Sequence, residues 1–245
     1  MKIAVIGGGS TYTPELVSGL LACCDRLPLE ELWLMDIDAA RLEIVGGFAK
    51  RMLAAKGGPF RVVLSTDLRE AIKGASYVIT QLRVGQMPAR VADEYLGQRH
   101  GLIGQETTGI GGMAKALRTI PVMLDIAKEM AVSAPGALLL NFANPSGLVT
   151  EALKRYASDV PSVGVCNIGI TTRNEIFTQL HTIFGMELNP EQVVLDTLGL
   201  NHLTWHRGFT VDGVDIWPRL FPAYLARQRA LPEPEFDEAT LASLG

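Results

Sequence analysis

Short apolar runs alternate with longer stretches of helical spacing along most of the chain, and this alternation restricts the fold more than any other feature. KIAVIG, ELWLMD, FRVVLST, SYVITQL, ALLLNF and SVGVC read as strands. Between them, PELVSGLLACC, AARLEIVGGFAKRMLAA, DLREAIKGA, GMAKALRTIPVMLDIAKEMAV and GLVTEALKRYA carry helical spacing. Asp67 stands near the start of the third of these, and Pro121 predicts a kink or break in the fourth. Strands that are apolar along their whole length need cover on both faces, so the pattern predicts an α/β, doubly wound parallel sheet.

The rhythm changes after about residue 190. QVVLDTLGLNHLTW and GFTVDGVDIWP read as antiparallel strands, with Asp212-Gly213 as a two-residue hairpin turn. We therefore expect a nucleotide-binding type of domain over 1–170 and the beginning of a mixed α+β second domain over 171–245. The tail LPEPEFDEATLASLG is polar and proline-bearing, and reads as lacking a closing element.

Bulk properties narrow the function classes. A net charge of −4 provides no electrostatic footprint for nucleic acid or an anionic membrane. No apolar run approaches the roughly 20 residues that span a bilayer. MKIAVIGGGS is too short and glycine-rich for a signal-peptide core. The 3 cysteines, with Cys23 and Cys24 adjacent, make no disulfide framework, which fits a cytoplasmic protein.

IAVIGGGSTYTPEL carries the first chemistry. Gly7 and Gly9 follow a strand, Pro14 suits the first turn of the next helix, and Thr13 is a candidate cap. Such glycines let a backbone approach a pyrophosphate that a helix N-terminus then favours, so the sheet reads as Rossmann-like. Tyr12 stands where the third glycine of the usual fingerprint belongs. Asp36, ending the second strand 27 positions after Gly9, is placed to bond a ribose hydroxyl and would repel a 2′-phosphate, favouring NAD. A tight turn that binds nothing is the bland alternative. In NFANPSGLVTEA, Asn141 and Asn144 lie where a central strand runs out, either lining a ligand crevice or capping the next helix. HGLIGQETTGIGG, with Glu106, reads as a substrate-covering loop or a merely mobile one. His202 and His206 have zinc-like helical spacing but lie in a stretch that reads as strand, which disfavours a two-histidine site. Cys166 and His202 would suit a divalent metal as a donor pair. Cys23 and Cys24 read as helix filler.

Together, GGGSTYTPEL, QLRVGQMPAR, HGLIGQETTGIGG leading to ALRTIPV, NPSGLVTEA, VGVCN and GLNHLTW resemble glycoside hydrolase family 4, especially its 6-phospho-β-glucosidases. The matches fall in order along nearly the whole chain, and Tyr12 belongs to the family's opening motif. This family departs from the two-carboxylate scheme of glycoside hydrolysis. The resemblance implies that NAD⁺ takes hydride from C3 of the sugar and a base removes the acidified C2 proton. The C1 substituent is then eliminated, water adds, and the hydride returns, while Mn²⁺ or another divalent metal polarises the C2 and C3 oxygens.

The same resemblance implies roles. Cys166 and His202 become metal ligands, and Asn167 sits beside the reacting carbons. Arg90 and Asn144 contact substrate, Arg90 through a charge-assisted fork to the 6-phosphate. Glu106 raises the basicity of a catalytic tyrosine. The expected cofactor-binding set is Gly7, Gly9, Ser10, Asp36 and Arg41. The tyrosine itself belongs to a motif beyond GLNHLTW, and no tyrosine here lies in such a motif. We therefore expect an N-terminal portion of an enzyme that takes a phosphorylated disaccharide or aryl-glucoside and forms a homo-oligomer when full length. A lactate/malate-type dehydrogenase and a non-catalytic NAD-binding module are the competing readings.

Overall fold

The computed structural model describes residues 1–234 and 236–244. The chain divides into two compact units, Met1–Cys166 and Asn167–Gly245.

The first unit runs β1 (Lys2–Ile6), α1 (Thr13–Ala22), β2 (Glu31–Met35), α2 (Ala39–Lys56), β3 (Arg61–Ser65), α3 (Leu68–Ile72), β4 (Tyr77–Thr80), α4 (Gln86–Gln98), α5 (Gly109–Ser133), β5 (Leu138–Asn141), α6 (Ser146–Tyr156) and β6 (Ser162–Gly164). Its six-stranded sheet has the order β3-β2-β1-β4-β5-β6, and every pairing is parallel. Strand order reverses between β1 and β4, the switch point at which such sheets open a crevice outside their carboxyl ends.

Strand residues alternate between two cores. Ala4, Ile6, Val78 and Leu139 pack with Met123, Ile126 and Met130 of α5 and with Val149 and Leu153 of α6. On the other face Ile3, Val5, Leu32 and Leu34 meet Val17 of α1 and Leu42 and Ala49 of α2. Burial on both faces is why these strands read as unbroken apolar runs.

Local chemistry sets the helix ends. The Asp38 side chain accepts from Arg41 N at 3.0 Å and opens α2, while Gly57 at φ +60° closes it in a left-handed cap. Asp67 likewise caps α3, accepting from Glu70 N at 2.9 Å. Thr13 is not the cap of α1: it is the first helical residue, and its hydroxyl donates instead to Gly8 O at 2.8 Å. Cys23 caps the C-terminus of α1 and Cys24 follows it, so neither fills the helix. α5 does not break at Pro121. Pro121 and Leu117 lie on the solvent side, so the Leu117 carbonyl that loses its donor can turn to water.

The sequence pattern passed over three helices, α4 and, in the second unit, α7 (Ile168–Phe184) and the helix over Trp217–Ala230. A domain break after residue 170 would fall inside α7. β7 (Val193–Leu200), β8 (Leu203–Val211) and β9 (Val214–Asp215) form an antiparallel sheet, followed by α8 (Trp217–Ala230) and α9 (Glu238–Leu244). Asp212 and Gly213 both have positive φ, as the β8–β9 turn requires. QVVLDTLGLNHLTW is not one strand, because β7 turns into β8 at Asn201-His202. The tail is not without a final element, since α9 lies within it. Leu180, Val193, Phe209, Val211 and Leu220 form this unit's core. No helix among the described residues is long and apolar enough to cross a membrane.

Leu139 is fully buried at the centre of the larger core. Leu139→Ala should lower stability by about 2–5 kcal/mol in a urea melt, through lost burial and the cavity left behind.

Candidate active site

The crevice edge begins where β1 ends. Gly7 N and Gly8 N both donate to Met35 O, at 2.9 and 2.7 Å, which draws the loop against the end of β2. The fit leaves no room for side chains. A Cβ on Gly7, at φ +93°, would lie 2.9 Å from the Gln81 carbonyl carbon, and one on Gly8 would lie 2.7 Å from Leu34 Cβ. Gln81 Nε2 donates to Gly7 O at 3.2 Å and to Thr13 Oγ1 at 2.7 Å, tying the loop to the end of β4 as well.

Asp36 and Arg41 complete the cradle. Asp36 Oδ2 accepts from Gly9 N at 2.9 Å and Oδ1 from Asp38 N at 3.1 Å, while Arg41 Nε donates to Gly9 O at 2.6 Å. Ser10 Oγ accepts from Tyr12 N at 3.2 Å. The structure thus brings together Gly7, Gly9, Ser10, Asp36 and Arg41. A carboxylate has further lone pairs to offer a ribose hydroxyl after two backbone bonds. The loop, the following helix and this acid fit a dinucleotide.

At the ends of β4 and β5 the side chains turn polar. Thr80 Oγ1 donates to Asn141 Oδ1 at 3.0 Å, and Asn141 is fully buried and bonded to Ala143 through both its oxygen and its nitrogen. Asn141 therefore holds the strand end in shape, and half-buried Asn144 follows it, before a cis bond to Pro145. Tyr12 sets its ring edge-on to Phe142, centroids 5.7 Å apart.

Glu106 is the electrostatic hub of this edge. It accepts from both guanidinium arms of Arg83 and, at 2.7 Å, from Lys115 Nζ, with Arg90 Nη1 at 3.7 Å. Burial alone would raise its carboxyl pKa, but the bonds from Arg83 and Lys115 outweigh that and hold it at about 2. Burial also pulls the Lys115 ammonium below its usual range against the attraction of Glu106. Arg90 Nε donates to Glu94 at 2.8 Å, and Arg118 grips buried Asp93 with both arms. Sequence reasoning missed Gln81, Arg83 and Lys115. For Lys115 a signal existed: it falls within the run of inward positions Gly112, Ala116 and Thr119 of α5, where a lysine needs a buried anion.

Half-buried Cys166 ends the first unit, and Asn167 opens the second as N-cap of α7. His202 occupies the β7–β8 turn at φ +61°. It lines a hollow of about 350 Å³ with Ile168, Thr172, Leu203, Thr204 and Trp205. His206 does not join it, because its Nδ1 lies 3.0 Å from Thr197 Oγ1 across the sheet. Among the described residues no group of three or more His, Cys, Asp or Glu side chains could hold a metal ion.

Residues 2–182 match the profile of the family 4 glycosyl hydrolases. The chain belongs to that family. It is 44% identical over 225 residues to a probable 6-phospho-β-glucosidase of Bacillus subtilis, covering 91% of this chain and 50% of that relative. A 6-phospho-β-glucosidase structure from Thermotoga maritima, solved with manganese, NAD⁺ and glucose-6-phosphate, superposes with a TM-score of 0.84 at 37% identity. That match covers 99% of this chain and 56% of the other. Malate dehydrogenase from Plasmodium falciparum, 15% identical with a TM-score of 0.62, covers 100% of this chain and 66% of its own and shares the fold alone. The chain spans about half the length of the curated relatives it matches.

Because the Glu106 pKa lies below its usual 4.5, the ionised carboxylate contributes stability that is complete above that value and is lost as pH falls toward about 2. Acid unfolding of the chain should show this loss. Glu106→Gln should be less stable at neutral pH and show a shallower fall between those values when followed by circular dichroism.

Proposed function

We propose that this chain carries the dinucleotide site and part of the substrate machinery of a 6-phospho-β-glucosidase acting on a phosphorylated disaccharide or aryl-glucoside. The observation that supports this most is the loop Gly7–Gly9, closed to side chains at the switch point of a chain that belongs to family 4. When bound, NAD would supply reversible oxidation of the sugar and a divalent cation such as Mn²⁺ would polarise its oxygens.

The chain's own residues then take the following parts. Gly7 and Gly9, lacking side chains, let the pyrophosphate approach the loop, Ser10 offers its hydroxyl, Arg41 steadies the loop, and Asp36 accepts from the ribose. Arg90 offers its guanidinium to an anionic substrate group, and Asn144 hydrogen-bonds the sugar. Glu106, held ionised, favours positive charge nearby and raises the basicity of the base that takes the proton, and Asn167 orients the reacting carbons. Cys166 and His202 offer thiolate and imidazole to the metal, whose remaining positions substrate oxygens or water would fill. A thiol reserved for a metal is kept from oxidation most readily in a reducing compartment, which supports a cytoplasmic location.

Two measurements test the reading. NAD⁺ should bind this chain in calorimetry, and Gly7→Ala should weaken binding at least tenfold, since the new Cβ meets the Gln81 backbone. The absence of NAD⁺ binding in the parent chain would overturn the cofactor assignment. A longer chain that contains these residues and the base, given a chromogenic 6-phospho-β-glucoside, NAD⁺, Mn²⁺ and a thiol reductant, should release the aglycone in a chelator-sensitive way. Accumulation of NADH from a 2-hydroxy acid, unaffected by chelator, would favour a dehydrogenase instead.

A further inference from the structure

Two opposite charges meet on Gly9 without pairing. Asp36 holds its amide, Oδ2 accepting from Gly9 N at 2.9 Å, and Arg41 holds its carbonyl, Nε donating to Gly9 O at 2.6 Å. A Cβ on Gly9 would lie 2.9 Å from Asp36 Oδ2 and 3.2 Å from Arg41 Cγ, so the two side chains flank the same point of the loop. Asp36 is fixed a second time by Asp38 N, 3.1 Å from Oδ1. Among the described residues no ion pair joins Asp36 to Arg41, and the two outer nitrogens of the exposed Arg41 have no partner.

Steadying Gly9 takes only Nε, and the rest of the guanidinium has no structural use here. Arg41 is the third residue of α2, whose first turn holds no acid, and a cation at a helix N-terminus works against the helix dipole. An arginine placed for solvation alone would move freely. This one is locked at Nε, which leaves its outer N–H groups as an oriented fork. Such a fork suits a phosphate, and the helix end beside it favours the same charge. Ile37, 88% exposed between Asp36 and Asp38, offers an apolar face for an adenine beside this ribose.

On the dinucleotide reading above, we propose that Arg41 forms a subsite for a ribose 2′-phosphate that the Asp36 carboxylate silences, so that a single charge selects NAD over NADP. Asp36 repels the 2′-phosphate at the place where Arg41 would grip it. Calorimetry of NAD⁺ and NADP⁺ on this chain tests the idea. Asp36→Asn removes the charge and keeps the shape, and should tighten NADP⁺ by about tenfold or more while NAD⁺ weakens. Asp36→Ser, with more room for the phosphate, should do the same if the amide unsettles the loop. Adding Arg41→Gln should abolish the gain. Glutamine carries Nε2 on the same side-chain carbon that bears arginine Nε, so it keeps a donor for Gly9 O and removes only the outer fork. In the parent, Arg41→Gln alone should weaken NADP⁺ more than NAD⁺. Equal weakening there, no gain for NADP⁺ in folded Asp36 variants that still bind NAD⁺, or a gain that survives Arg41→Gln would overturn the proposal and leave the cofactor reading standing. A parent chain that binds neither dinucleotide would overturn the cofactor reading and this proposal with it.

Discussion

The double hydrogen bond from Gly7 N and Gly8 N to the single carbonyl of Met35 is the constraint on which the candidate site depends. It brings the chain leaving β1 against the end of β2, so Asp36 reaches Gly9 through one carboxylate oxygen. Pressed this close, the loop has no volume for a Cβ at Gly7 or Gly8, and Gln81 seals it from β4. Strand order, loop and acid are therefore parts of one arrangement: the parallel pairing of β1 with both β2 and β4 puts all three carboxyl ends at one edge.

A second constraint acts through charge. Arg83 follows β4, Glu106 precedes α5, and Lys115 lies one to two turns into that helix, so the Glu106 cluster joins a strand end to a helix start. The lysine is almost fully buried, and an ammonium there without its carboxylate would be strongly destabilising. Glu106 is thus both a structural counter-charge and a strongly acidified carboxyl at the crevice edge. These two demands agree: what keeps it ionised also keeps it in place.

Much of this was legible in the sequence, for physical reasons that differ by element. The six parallel strands announced themselves because burial on both faces removes polar residues. The glycine loop and Asp36 were legible because their roles are tied to positions one strand apart. α7 was not: it is rich in threonine and isoleucine, weak helix formers, and Thr172, Thr178 and Thr182 each bond back to the carbonyl four residues earlier. The β7–β8 turn was hidden because Asn201-His202 interrupts an apolar run without glycine, leaving His202 to adopt the left-handed conformation itself. Gln81, Arg83 and Lys115 escaped notice because their significance is tertiary, set by which strand end lies beside which loop.

α4 shows the limit of periodicity most clearly. Met87, Val91 and Tyr95, at a spacing of four, identify a stripe, but the spacing does not say whether that stripe faces the protein or, as it does, the water. The rule that it faces inward assumes that the interior has only apolar surface to offer. Beside α4 the interior offers Glu106 and Arg118, so Arg90 and Asp93 gain more by turning inward than Met87 and Val91 would. Charges concentrated at a site can thus invert a neighbouring helix, and the apolar face that this turns outward is displaced from the core by the site itself. The electrostatics of the Glu106 cluster and the exposure of the α4 stripe are therefore one consequence of the same packing choice.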